Sequence, residues 1–229
     1  MICKWQVEID PFCQRVLAKH WPHVRRHDDV KTWPTEDAER VDVICGGFPC
    51  QDVSRAGMRK GIRGERSGLW SEFARIIATM RPRFVIVENV LGLCDDGIGV
   101  VISDLSTIGY DAEWDVVSAC SFGAPHTRKR LFIVAYPNSH RLEGVQSKLQ
   151  KEQARGDSDS FVFTRCVPPR RSRWQHLPAS RFCRSADGIS NRVDRTKSLG
   201  NAVVPQVAEW IARRIIEATG ETADTESPV

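Results

Sequence analysis

The chain has 229 residues, 41% hydrophobic and 27% charged, with seven tryptophans and a formal net charge of +4. That composition suffices for one hydrophobic core with a small appendage and is too apolar for a disordered protein. No run of eighteen apolar residues marks a transmembrane helix, the start MICKWQVEID lacks a signal-peptide pattern, and the eight cysteines lack the paired spacing of a zinc site. The expectation is therefore a cytosolic, metal-free protein with reduced thiols. The charge is uneven. Residues 161–198 hold nine of the 33 Lys and Arg but only two of the 29 Asp and Glu, which leaves the rest of the chain slightly acidic. One basic segment on a neutral body suggests a polyanion touched at one place; a solvated basic loop explains the composition equally well.

Residues 5–9 read as a short strand. Asp10 and Pro11 then suit an N-cap and a first helical position, opening a helix with Phe12, Val16 and Leu17 on one face that stops near His20. Residues 41–46 form a continuous apolar strand of the buried kind. A long glycine-rich loop follows, and long ordered loops are usually functional. Ser67 is positioned to cap the next helix, whose apolar residues Leu69, Phe73, Ile76, Ile77 and Met80 recur at helical spacing and which Pro82 ends. Residues 84–90 are another buried strand, 97–108 a helix closed by Gly109, and strands follow near 113–118 and 130–135. Strands alternating with helices predict an α/β fold with a parallel sheet and helices on both faces, whose ligands sit at the carboxyl ends of strands. The pattern is lost over 137–190 and returns at Val203, where Val207, Trp210, Ile211, Arg214 and Ile215 suit an amphipathic helix closed by Gly220. The expected organisation is a core over 1–138, a small basic segment over 139–185, a return to the core over 186–220, and a frayed acidic tail over 221–229.

Three places carry candidate chemistry. Cys50 sits in F-P-C-Q directly after a strand. Free cysteines are mostly buried packing residues, but Pro49 stiffens this one and polar residues follow it. A nucleophilic thiol needs a cationic neighbour or a lowered pKa, and Arg55, Arg59, Arg63, Arg128 and Arg130 are candidates. Glu88 ends an apolar strand as I-V-E-N-V. Read locally, a strand-end glutamate paired with an arginine is favoured over a general acid raised by its apolar surroundings. His126, Arg128 and Arg130 alternate in P-H-T-R-K-R; on one face, two guanidiniums suit a phosphate or carboxylate, and an ordinary polar strand edge is the alternative.

Taken together, G-G-F-P-C-Q-D-V-S, V-E-N-V, P-H-T-R-K-R-L-F-I-V and L-G-N-A-V-V-P-Q-V-A resemble the ordered motifs of DNA (cytosine-5) methyltransferases, most closely the compact kind carried by phages and prophages. The resemblance covers most of 5–138 and 186–216. It implies a Rossmann-like S-adenosylmethionine-dependent methyltransferase sheet and methyl transfer to carbon 5 of cytosine in double-stranded DNA. The base would be flipped out and held through a covalent cysteine adduct, in restriction–modification or phage self-protection. Cys50 matches the nucleophile that adds to carbon 6, and Glu88 the acid at ring nitrogen 3. Arg130 matches the arginine that contacts the base, and Arg128 the one near the nucleophile and phosphates. The family usually has glutamine where this chain has His126. Glu8 matches the carboxylate on the cofactor ribose and Ile9 the residue against adenine. Asp29 and Val30 match the pair at the adenine amino group. Pro49, Leu69, Trp70, Asn201, Ala202 and Val203 match further cofactor positions. Gln51, Ser54 and Arg55 belong to a stretch, 51–66, that resembles the family's mobile active-site loop and would meet DNA. Arg165, Arg170, Arg171, Arg173, Arg181 and Arg184 lie in the segment that corresponds to the family's sequence-reading region.

The family opens with a strand and a glycine-rich turn of the type D-x-F-x-G-x-G-G, whereas this sequence starts where the second strand would. The expectation is an N-terminally truncated member, monomeric and needing that segment, in a bacterial host cytoplasm. Two other readings remain: a catalytically inactive remnant that binds DNA without turnover, and a cysteine-based redox enzyme. The latter would want a resolving cysteine, and Cys45, the nearest, lies inside the preceding strand.

Overall fold

The computed structural model describes residues 1–35, 38–49, 68–95, 97–138 and 198–219. These fall in two compact units, one within Met1–Val116 and Lys129–Asp157, the other within Val117–Arg128 and Ser158–Val229.

In the first unit, β1 (Trp5–Val7) pairs in parallel with β2 (Arg25–His27), and α1 (Pro11–His20) joins them. Asp10 caps α1 as its sequence predicts, its carboxylate accepting from the Phe12 and Cys13 amides at 2.9 and 3.4 Å. β1 ends at Val7 rather than Ile9 because the chain turns into that cap: Glu8 Oε1 accepts from the Asp10 amide at 2.8 Å. β2 has no sequence signature, since Arg-Arg-His shows neither alternation nor apolar content.

The larger sheet has the order β3-β4-β6-β5, from β3 (Val43–Gly47), β4 (Phe84–Asn89), β5 (Tyr110–Ser118) and β6 (Lys129–Pro137). β3 and β4 are parallel, with Gly47 opposite Glu88. β6 runs antiparallel to β4, so the sheet is mixed where alternating elements predict it parallel. The ten residues between β5 and β6 are too few for a helical crossover, so the chain returns in the opposite direction.

Helix α2 (Leu69–Met80) organises this unit. Trp70, Phe73 and Ile77 face the main core of Val85, Val87, Leu93, Val101, Leu105, Leu131 and Ile133. Ile76 and Met80 pack instead with Trp33, Trp5, Val7 and Ile44, which sets the β1–β2 ribbon beside the sheet. Its N-cap is Gly68, with no side-chain cap bond, where the sequence points to Ser67. The helix ends one residue before Arg81, which takes a left-handed φ of 50° ahead of Pro82. The helix expected over 97–108 is α4 (Ile98–Thr107), and a short helix without a sequence signal, α3 (Gly92–Asp95), precedes it. Gly109, at φ 86°, turns the chain into β5 three residues earlier than expected, and this places Tyr110 in the core at 1% exposure.

The second unit holds a 3₁₀ turn (Ala119–Phe122), a helical turn over residues 198–201, and α5 (Pro205–Thr219). Val207, Ile211 and Ile215 form the buried stripe of α5, and Trp210 meets Phe122 edge to face at 5.8 Å. Gly220, expected to close α5, lies outside the described residues. Among the described residues no helix is long and apolar enough to cross a membrane.

Candidate active site

Along β4 the side chains alternate. Val85, Val87 and Asn89 are buried, while Phe84, Ile86 and Glu88 point to the other face. Glu88 therefore stands clear of the main core at the carboxyl end of the strand, where an α/β sheet presents its chemistry. Arg130, near the start of β6, reaches it: Arg130 Nε lies 3.0 Å from Glu88 Oε1, and both side chains are about four-fifths buried, at 22% and 18% exposure. The strand-end ion pair read from the local sequence is formed, and its cation is the arginine that the resemblance places at the base. The second carboxylate oxygen, Oε2, lies on the β3 side. A Cβ built on Gly47 would stand 3.2 Å from it and 2.9 Å from the Glu88 carbonyl oxygen.

β3 runs from Gly47 through buried Phe48 to exposed Pro49, immediately before Cys50. Asn89 fastens this exit. Its amide Nδ2 donates to the Phe48 carbonyl at 3.1 Å, and its Oδ1 accepts from the Val90 amide at 2.8 Å. Asn89 is 4% exposed, the only buried polar side chain among the described residues, and both halves of its amide are used. Sequence reasoning missed the roles of Gly47 and Asn89, although both lie inside the quoted strings G-G-F-P-C-Q and V-E-N-V. Cys50 itself lies outside the described residues, as do Gln51, Ser54, Arg55, Arg165, Arg170, Arg171, Arg173, Arg181 and Arg184.

The carboxyl ends of β1 and β2 bring together a second group. The Glu8 amide donates to the His27 carbonyl at 3.1 Å, so Glu8 and the Asp28–Asp29 pair leave adjacent parallel strands side by side. Gln14 Nε2 ties the group, donating to the Glu8 carbonyl at 2.6 Å and to Asp28 Oδ1 at 3.4 Å. Asp29 Oδ1 accepts from the Lys31 amide at 2.9 Å, a local turn that fixes its carboxylate. Ile9 is 68% exposed beside Glu8, while Val30 packs partly buried near Trp33. Leu69 packs partly into the main core. Trp70 is buried there, against Phe48 at 5.4 Å with its Nε1 donating to Asp104 Oδ2 at 2.8 Å, so its ring is a packing element rather than an open cofactor wall.

Arg128 belongs to the second unit, and its partners differ from those the sequence suggests. Its guanidinium donates to the carbonyls of Leu199 (3.1 Å), Gly200 (2.7 Å) and Ala202 (2.5 Å). Arg128 and Arg130 thus serve separate partners instead of forming one anion-binding fork. Asn201, Ala202 and Val203 are exposed around that guanidinium, and His126 is exposed as well. Of the described thiols, that of Cys45 is held above the ordinary value of 9.0, first by loss of water around its sulfur and then by Cys3. Loss of water and then Asp95 do the same to Cys94, against a backbone hydrogen bond that lowers it. Neither is tuned as a nucleophile. No cluster of His, Cys, Asp or Glu that could hold a metal ion occurs among the described residues.

Comparison with known proteins gives the family. Residues 1–162 match the family described as C-5 cytosine-specific DNA methylase. Type II methyltransferase M.MspI of Moraxella sp is 36% identical over 143 residues, covering 60% of this chain and 34% of the relative. Type II methyltransferase M.NlaIV of Neisseria lactamica is 32% identical over 142 residues, covering 57% of this chain and 34% of the relative. The chain thus spans about a third of the length of these relatives. A solved DNMT2 mutant of Spodoptera frugiperda shares the fold, with a TM-score of 0.50 and 18% identity over 60% of this chain and 43% of that one. The sheet is accordingly the Rossmann-like α/β sheet of a methyltransferase, and the chain belongs to the C-5 cytosine-specific DNA methylase family.

Proposed function

We propose that this chain carries the catalytic centre of an enzyme that methylates carbon 5 of cytosine in double-stranded DNA, in restriction–modification or phage self-protection. The observation that supports it most directly is the Glu88–Arg130 pair at the carboxyl end of β4, in register with the strand that leads into Pro49 and Cys50.

Carbon 5 of cytosine is a weak nucleophile. The Cys50 thiolate adds to carbon 6 and forms a carbon–sulfur bond, which turns carbon 5 into an enamine carbon. Glu88 steadies the electron-rich ring by a hydrogen bond or proton at ring nitrogen 3, with Oε2 on the side of the nucleophile's strand and Oε1 held by Arg130. Once carbon 5 carries its methyl group, loss of the carbon 5 proton restores the ring double bond and expels Cys50 as thiolate. The target base has to leave the duplex stack to reach these groups. S-adenosylmethionine would supply the electrophilic methyl group. The carboxylates of Glu8 and Asp29 with exposed Ile9 suit the hydroxyls, amino group and apolar face of its adenosine, and Val30, Pro49, Leu69, Asn201, Ala202 and Val203 complete the set by resemblance. Residues 139–185, with their arginines, form the proposed DNA-reading segment.

The test is methyl transfer by the folded 229-residue chain to unmethylated duplex DNA, mapped by bisulfite sequencing. Methylated cytosines at a defined sequence are expected. Cys50→Ser should abolish a covalent adduct with DNA carrying 5-fluorocytosine, whereas Cys13→Ser should not. Adduct formation surviving Cys50→Ser overturns the assignment. Salt-sensitive DNA binding with no methylation from a folded chain leaves the DNA-binding remnant.

A further inference from the structure

Arg128 has the geometry of a clamp rather than of an anion receptor. Residues 198–201 form one helical turn, closed by the Ala202 amide donating to the Ser198 carbonyl at 2.8 Å. The carbonyls that such a turn leaves over at its C-terminal end carry partial negative charge and need donors. Arg128 Nη1 takes the Leu199 carbonyl, and Nη2 takes those of Gly200 and Ala202. A planar guanidinium spans three carbonyls of one turn at once; a point-charged ammonium does not hold them in the same fixed geometry. The strip is otherwise open to solvent. Leu199 is 71% exposed, Val203 is 38% exposed, and exposed Asn201 sits between two clamped residues. Among the described residues, Arg128 thus joins three carbonyls of this strip to the start of β6.

We infer that Arg128 is a positioning residue for the strip 199–203, and that it acts on cofactor binding through Asn201, Ala202 and Val203 rather than on DNA phosphates. The cofactor part rests on the methyltransferase reading above. A guanidinium committed to three carbonyls would have to break charge-assisted hydrogen bonds to meet a phosphate, and those bonds are among the stronger ones in proteins. A one-turn helix is marginal in water without tertiary support, and the Arg128 clamp supplies three hydrogen bonds of that support.

The experiment uses the full chain as wild type, Arg128→Met and Arg128→Lys. Amide hydrogen exchange is followed for peptides over 198–204, 84–89 and 205–219, alongside S-adenosylmethionine affinity by equilibrium dialysis and duplex affinity across a salt series. In Arg128→Met, exchange over 198–204 should quicken by about tenfold or more, with the other two peptides unchanged. Cofactor affinity should fall by about tenfold, Arg128→Lys should recover only part of either effect, and the salt slope of DNA binding should stay at the wild-type value. A salt slope lowered by about one with exchange over 198–204 unchanged overturns the inference and makes Arg128 a phosphate contact. Faster exchange with unaltered cofactor affinity, where wild type binds cofactor, also overturns it by making the clamp merely structural. Wild type that binds no cofactor defeats the methyltransferase reading and with it the cofactor half of the inference, while the exchange and salt arms still decide the clamp.

Discussion

Gly47 shows how a single missing methyl group shapes the centre. Its φ lies outside the left-handed region, so its backbone would accept any residue; what demands glycine is space. A Cβ would stand 2.9 Å from the Glu88 carbonyl oxygen and 3.2 Å from Glu88 Oε2, and the first of these is backbone that cannot swing away. Gly47→Ala should therefore destabilise the fold by about 1–3 kcal/mol, as overpacking does, and displace the carboxylate. Gly46 is the control, because its Cβ would meet only the edge of the Phe73 ring at 3.4 Å; Gly46→Ala should cost less than about 1 kcal/mol. Urea unfolding of both variants checks the contrast, and equal losses would mean that Glu88 sets no limit at Gly47. Asn89 makes a complementary case. Asn89→Asp keeps the acceptor for the Val90 amide but loses the donor to the Phe48 carbonyl, and it adds a buried charge. It should cost at least about 2 kcal/mol and slow adduct formation at Cys50, with Asn89→Ala losing less stability than Asn89→Asp. An Asn89→Asp protein with wild-type stability and adduct rate would remove Asn89 from the support of the chain at Phe48. Glu88 and Arg130 are legible as residues in the sequence, and so is a strand-end glutamate paired with an arginine, but not which arginine, because the β4–β6 register selects Arg130. Gly47 and Asn89 are not, because their importance lies in cross-strand register, which no local string reveals. The partners of Arg128 are hidden for the same reason: its carbonyl acceptors are more than seventy residues away in sequence.

At the scale of elements, the periodic segments are readable and the connections are not. α1 and α2 are legible because capping chemistry and apolar spacing are local. β2 and α3 are hidden, since a three-residue polar strand and a four-residue helix carry too little pattern. β6, with Leu131 to Ala135 buried without a break, announces itself as central but not its direction. The turn before β5 yields a pH prediction. Tyr110 donates its phenol to the Pro82 carbonyl at 2.7 Å, and Arg81 stacks on its ring at 5.2 Å. Burial raises its pKa above the ordinary 10.0, more than Arg81 lowers it. A group with a folded pKa above its unfolded one contributes stability that is present below the unfolded pKa and lost as pH rises through the folded one. Unfolding midpoints in urea should therefore fall as pH climbs past about 10. Tyr110→Phe leaves the Pro82 carbonyl without this donor, so it should be less stable than wild type near neutrality by about 1–3 kcal/mol, yet show a shallower alkaline decline. Parallel curves for the two proteins would place the alkaline loss elsewhere.

Across the whole molecule, charge and fold are divided among different segments. The described cores are built from apolar residues and paired charges, whereas the excess of Lys and Arg sits in residues 161–198, which lie outside the described part but for Ser198. Composition exposes that asymmetry at once, because net charge needs no register or contact to be read. Its purpose is decided by salt. If the segment neutralises phosphates, the logarithm of duplex affinity falls linearly with the logarithm of salt concentration, by about 0.9 for each phosphate contacted. Replacing Arg170, Arg171 and Arg173 together by glutamine should then reduce that slope by about 2 to 3 and weaken binding to all duplexes alike. Arginines that read guanine edges behave otherwise. Their removal leaves the slope nearly intact and abolishes the preference for a target sequence over a scrambled one, at about 1–3 kcal/mol for each guanine no longer read. The two outcomes separate on one set of filter-binding curves, with a target duplex taken from the methylation map and a scrambled duplex as its partner. A variant that changes neither slope nor preference would return these arginines to the solvated loop that composition alone allows, and would place DNA binding on the face that carries Glu88 and Arg130.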